Sequence, residues 1–264
     1  MTERLDSAMA RLCAEGRTGV IPYVTIGFPA VQDTLAIVPA LEAAGADVIE
    51  LGVPYSDPLA DGPTIQAASY RALEAGMDTA TCIGIVKRLR ADGVTVPLLF
   101  MGYYNPILTY GVERFVDGCA DAGLDGLIVA DLPPEESDRI RAALRARGMA
   151  LIPLLAPTST EERIELGTSG AEGFVYCVSV AGVTGARAEL PESLPAFVAR
   201  VRGHTSLPIA VGFGVSERRH VEAIGAVADA AVVGSALIDV IDSAPPGERA
   251  AKAGAFVSAL TGRS

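Results

Sequence analysis

Short apolar, β-branched runs alternate along this chain with longer stretches whose apolar residues recur every three or four positions. The first stretch, MTERLDSAMARLCAEG, mixes acids and bases at helical spacing and predicts an N-terminal helix. Eight runs predict strands: GVIPYVTIG (19–27), VIEL (48–51), VPLLFMG (96–102), GLIVAD (126–131), ALIPLLA (150–156), FVYCVS (174–179), PIAVGFG (208–214) and AAVVG (230–234). Helices are expected near 33–44, 64–75, 79–91, 111–122 and 135–147, after Thr160, near 192–202, from about Ser216 and over 248–261. Strands separated by crossover helices must be parallel, and runs this continuously apolar fit a sheet covered on both faces.

The joins between helix and strand repeat: AAGADVIE, DAGLDGLIV, TSGAEGFVY and AVADAAVV. Each closes a helix with small residues, mostly with a glycine suited to a left-handed cap, and enters a strand past an acid. Repeated βα units totalling eight predict an α/β fold, a (β/α)₈ TIM barrel forming a single domain over residues 1–264, with the extra N-terminal helix and inserted helices. An open doubly wound sheet is the less suitable alternative. Reactive residues of such barrels lie on strand C-terminal ends and the loops that follow, where Glu50, Asp61, Asp131 and Tyr176 fall.

Composition narrows the function. The 264 residues, half of them hydrophobic, can bury a full core, and no break in composition marks a linker. Lys and Arg number 21 against 32 Asp and Glu, and a net charge of −11 argues against nucleic-acid or anionic membrane partners. The start lacks an apolar signal core and no run approaches membrane-spanning length, so a cytoplasmic protein is expected. Cys13, Cys82, Cys119 and Cys177 lack metal-ligand spacing, and the only histidines, His204 and His220, lie in a turn and at a polar helix start. No metal site is expected, and acid–base chemistry falls to carboxylates, Tyr or Lys.

The stretch VIELGVPYSDPLADGP carries the sharpest signal. Glu50 stands inside a buried strand, where a charge is costly without a partner or a task. Alternation puts Val48 and Glu50 on one face and Ile49 and Leu51 on the other. If the outer pair packs on helices, Glu50 points into the barrel. A loop rich in Gly and Pro then delivers Asp57 and Asp61. The competing expectation is that Glu50 makes an internal salt bridge and the two aspartates are turn residues. A second signal lies in the C-terminal quarter, where strand seven ends in Gly212–Phe213–Gly214 and strand eight ends at Gly234, with Ser235 opening a short helix. Loops after the last two strands, with a helix N-terminus among them, form the usual phosphate cradle of these barrels. The glycine-bearing loop 179–193 could close over a ligand, and its Arg187 could visit a phosphate.

These motifs, with PYVTIGFP, VADLPPEE, AGVTGA, GFGV and VVGSAL in order along nearly the whole chain, closely resemble the tryptophan synthase α-subunit family. The resemblance implies retro-aldol cleavage of indole-3-glycerol phosphate to indole and D-glyceraldehyde 3-phosphate, without a cofactor of the subunit's own. By position it implies Glu50 as the general acid–base and Asp61 as the acid that accepts the indole N–H and steadies positive charge on the ring. Thr184 would be the lid residue meeting Asp61. Gly185, Gly214, Gly234 and Ser235 would hold the phosphate, and Tyr23, Met101, Ile128, Ala130, Leu154, Tyr176 and Phe213 would line the indole slot. Tyr23, Met101 and the Ser179–Val180 pair depart from the best-known members. The implied assembly is an α₂β₂ tetramer in which pyridoxal phosphate belongs to the β subunit, docked on a rim around Pro54, Asp57, Asn105 and Pro133. Two other readings compete. One is another phosphate-binding barrel enzyme, which would need a catalytic Lys or Cys beside Glu50. The other is a non-catalytic barrel that binds and modulates the β subunit, which would not need a buried acid.

Overall fold

The predicted strand runs become one parallel ladder whose two ends are halves of the same run. In the computed structural model, which describes residues 3–178, 191–212 and 214–263, the strands are β1 (Gly19–Thr25), β2 (Ile49–Gly52), β3 (Leu98–Gly102), β4 (Gly126–Val129), β5 (Ala150–Leu151), β6 (Leu154–Leu155), β7 (Val175–Val178), β8 (Ile209–Gly212) and β9 (Ala230–Val233). Their order is β5-β4-β3-β2-β1-β9-β8-β7-β6, with every pairing parallel.

The run 150–156, expected as one strand, is therefore two. Its first half pairs with β4 and its second with β7. Ile152 still donates to the Leu127 carbonyl (2.8 Å), whereas Pro153 has no N–H and only accepts, from Tyr176 N (2.9 Å). The change of partner at this proline brings the ladder back to its start, so the two halves together serve as one stave of an eight-stave barrel.

Inside that barrel Ile21, Val48, Leu99, Ile128, Ile152 and Phe174 form one buried cluster, while Ile49 and Leu51 belong to the larger cluster under the helices. The N-terminal helix, Glu3–Glu15, closes the lower end with Leu5, Met9 and Leu12, spaced four and three apart and all fully buried. It lies so close that a Cβ on Gly19 would stand 2.6 Å from Leu12 Cδ1. Each such apolar side chain contributes about 2–3 kcal/mol by leaving water.

Three of the four repeated joins prove to be two-point clamps, while Glu172 of the fourth pairs with Arg145 instead. Asp47, Asp125 and Asp229 each donate their N–H to the carbonyl of Val20, Leu98 or Ile209, and each carboxylate accepts the N–H of that same residue at 2.7–3.0 Å. An arginine neutralises each acid: Arg17 bidentate on Asp47, Arg90 and Arg4 on Asp125, Arg202 on Asp229. Acid, turn and arginine thus pin strand N-termini at the lower rim.

One element was not expected. A helix over Tyr104–Tyr110 precedes the helix Val112–Ala122, and Gly111, at φ +93°, separates them. Its seven residues carry no apolar periodicity. Its first N–H is accepted by the Asp131 carboxylate at 2.8 Å, a cap supplied from 27 residues away.

Candidate active site

Strand β2 delivers Glu50 to the barrel interior, on the same face as buried Val48 and in register with Tyr23 on β1 and Leu99 on β3. Glu50 is fully buried, and neither carboxylate oxygen has a hydrogen-bond partner among the described residues. The expected internal salt bridge is absent there, and burial alone pushes the Glu50 pKa up to about 8.

Two residues further on, the inward face of Gly52 is covered by the Tyr23 ring, so that a methyl built on Gly52 would collide with the Tyr23 hydroxyl. Gly212 stands to Tyr176 in the same relation on the far side. Both tyrosines are buried. Burial chiefly raises their pKa values, and the negative charges of Glu50 and Asp61 raise both further. The strand acid and the loop acid therefore act on the same two phenols, which places them about one mouth.

Asp61 reaches that mouth from the loop between β2 and the helix Pro63–Glu74. It is half-buried, and burial raises its pKa to about 6 against a hydrogen bond donated by Tyr103 that lowers it. The Tyr103 oxygen also accepts the Ala60 N–H at 3.0 Å, and its ring lies 5.1 Å from that of Tyr55. Ser69 holds the same loop by accepting from Tyr55 N (2.9 Å) and donating to Tyr55 O (3.2 Å). Asp57 is exposed, a loop residue bonded to Ser56, and Asp131 is occupied in capping the Tyr104–Tyr110 helix.

Of the remaining candidates, Ile128 is buried in the interior cluster, and Met101 and Leu154 pack partly buried against it. Ala130, just past β4, is half-buried and donates its N–H to Gly102 O at 2.9 Å. Gly214 follows β8 with φ +34°. Gly234 follows β9 and is the N-cap of the helix Ser235–Ser243, whose N-terminus no side chain caps. A Cβ on Gly234 would lie 3.5 Å from Ile65 Cδ1 and 3.9 Å from Tyr23 Cβ. Gly234 is thus brought beside Tyr23. Thr184, Gly185 and Phe213, with Ser179, Val180 and Arg187, lie outside the described residues. Among the described residues no three His, Cys, Asp or Glu side chains converge as a metal cluster would.

A family model for the tryptophan synthase alpha chain matches residues 9–260. The chain belongs to the tryptophan synthase α-chain family. The tryptophan synthase alpha chain of Roseiflexus sp. (strain RS-1) is 54% identical to it over 98% of this chain and 99% of the relative. The crystal structure of tryptophan synthase subunit alpha from Legionella pneumophila str. Paris superposes with a TM-score of 0.90 at 35% identity, covering 98% of this chain and 97% of that one. The tryptophan synthase complex from Pyrococcus furiosus gives 0.85 at 37% identity over 92% and 98%. This α chain is accordingly a TIM-barrel lyase of tryptophan biosynthesis, and its reaction is the cleavage of indole-3-glycerol phosphate to indole and D-glyceraldehyde 3-phosphate.

Sequence reasoning missed Tyr103 and Ile65. For Tyr103 the available signal was the first tyrosine of MGYYNP, placed immediately past the end of β3. Ile65 looked like any apolar residue of a helix.

Proposed function

We propose that Glu50 and Asp61 divide the α reaction between them as neutral acid and carboxylate. The carrying observation is a fully buried Glu50 whose carboxylate oxygens have no hydrogen-bond partner among the described residues, facing the mouth to which Tyr103 ties Asp61. Glu50 starts protonated and gives its proton to the indole ring carbon bearing the chain. The ring then holds positive charge, which the Asp61 carboxylate stabilises at the N–H. Glu50, now ionised, takes the proton of the adjacent glycerol hydroxyl as the C–C bond breaks. Indole leaves neutral, the aldehyde forms, and Glu50 is again an acid. Proton transfer of this kind is worth typically about 10²–10⁴-fold in rate.

The two pKa values set a window. Activity rises as Asp61 ionises near pH 6 and falls as Glu50 loses its resting proton near pH 8. Backbone amides at Gly214, Gly234 and Ser235, with Gly185, grip the phosphate, while Tyr23, Met101, Ile128, Ala130, Leu154, Tyr176, Phe213 and the unforeseen Ile65 wall the ring.

In this reading the chain is one barrel domain, cytoplasmic, and needs no cofactor of its own. It works in an α₂β₂ tetramer, and pyridoxal phosphate belongs to the β subunit. The Pyrococcus furiosus relative described as a complex supports a partner. So does an apolar rim beside the mouth: Leu59 is 93% exposed, Leu108 is 49% exposed, and Asn105 on the Tyr104–Tyr110 helix donates to the Tyr55 hydroxyl at 3.4 Å. Pro54 is buried, so the docking contacts fall to Asp57, Asn105 and the half-buried Pro133, with Leu59 and Leu108 beside them.

The test is indole release from indole-3-glycerol phosphate by purified protein, alone and with a β subunit. Slow turnover alone and faster turnover in the complex are expected, with Glu50→Gln losing it while still binding substrate. Parental turnover by Glu50→Gln would overturn the roles.

A further inference from the structure

An aromatic wall needs no hydroxyl, yet the residue beside Glu50 is a tyrosine. The Tyr23 ring runs along the mouth between its two ends. Its Cβ is next to Gly234, at the phosphate end, and its hydroxyl lies over Gly52, one inward position above Glu50. A substrate with its phosphate at Gly234 and its reacting carbon at Glu50 must lay its connecting chain along this side chain.

The hydroxyl is short of acceptors. Tyr23 Oη and Thr25 Oγ1 are 3.4 Å apart, both residues are buried, and this is the one side-chain hydrogen bond of either among the described residues. Two hydroxyls bring two protons, and the bond between them uses one. Whichever donates to the other, one O–H is left over, away from water, where an unpaired donor costs about 1–3 kcal/mol. Burial first, and the nearby acids after it, keep the phenol protonated, so the spare group stays a donor.

We propose that the Tyr23–Thr25 hydroxyl pair donates a hydrogen bond to a hydroxyl of the substrate's glycerol chain. Tyr23 is then a specificity residue for a hydroxylated three-carbon linker between indole and phosphate. This rests on the assignment of Glu50 to the reacting carbon and of Gly234 to the phosphate. A site that bonds a substrate hydroxyl discriminates against analogues lacking it more sharply than an apolar wall can.

Tyr23→Phe removes one oxygen and leaves the ring in place. Cleavage of indole-3-glycerol phosphate is measured for the parent and for Tyr23→Phe, together with the Kd of 3-(indol-3-yl)propyl phosphate, which keeps ring, chain length and phosphate but lacks the chain hydroxyls. The expected result is a fall of about tenfold in kcat/KM with the Kd of the propyl analogue within about twofold of the parent. Thr25→Val, which removes the other member of the pair, should lower kcat/KM in the same selective way. An equal loss on both ligands would make the hydroxyl a shape element only, and an unchanged kcat/KM would show that it touches nothing on the substrate; either overturns the inference. Failure of the underlying reading would look different, as parental turnover by Glu50→Gln.

Discussion

Replacing Glu50 with glutamine keeps the shape of the neutral acid and removes the proton that titrates, so it isolates the energetic burden of the buried carboxyl. Burial raises its pKa from the ordinary 4.5 to about 8. Between those values the unfolded chain has released this proton and the folded chain has kept it. The unfolded state then binds fewer protons, so the parent loses stability as pH rises through this range. Below about pH 4.5 both states hold the proton, and above about pH 8 both have lost it and the penalty is constant. At about 1.4 kcal/mol for each pH unit crossed, the burden grows to about 5 kcal/mol, an upper bound since water entry on ionisation would relieve part of it. Urea and thermal unfolding of both proteins from pH 5 to pH 9 measure it. The glutamine variant should match the parent near pH 5 and exceed it progressively to pH 8, by roughly 10 °C in Tm at the plateau. A difference that does not change between pH 5 and pH 9 would refute the reasoning, because the carboxyl would then ionise as freely folded as unfolded. A burden of that size is tolerable only where the acid is needed for function.

Two further outcomes follow from named contacts. Tyr103→Phe deletes the donor that lowers the Asp61 pKa and the acceptor of Ala60 N–H; with a charge-assisted bond worth about 1.5–3 kcal/mol, the acidic limb of the kcat/KM profile should move up by about one pH unit or more, and an unmoved limb would remove Tyr103 from the site. Asp47→Ala leaves the Val20 N–H without its acceptor at the lower rim and Arg17 with Glu15 alone, and should cost about 1–3 kcal/mol in urea unfolding at pH 7 with kcat retained, whereas loss of the exposed Glu113–Arg139 pair should leave the urea midpoint where it is.

The barrel was legible because period and length act locally: a four-residue apolar run between amphipathic helices has few alternatives to a parallel stave, and Val48 and Glu50 had to share a face. The joins were legible as a repeat, but not as clamps, since the Asp47 contact with Val20 N–H spans 27 residues. The same distance hid the helix Tyr104–Tyr110, whose cap comes from Asp131, and the break at Pro153 followed from a change of neighbours that no local pattern records. At the site, the choice between a salt-bridged and a solitary Glu50 needed coordinates, because it depends on what stands opposite. Tyr103 escaped notice because its work is done on a residue 42 positions away, through a hydroxyl that composition treats as part of an aromatic.

Infrared difference spectroscopy of the Glu50 carboxyl at pH 7, parent against Glu50→Gln, addresses the proton most directly. The protonated C=O stretch should be present in the parent, absent in the variant, and lost from the parent as pH passes about 8. A carboxylate band from Glu50 already present at pH 6 would contradict it, since an acid ionised at rest has no proton to give the indole ring.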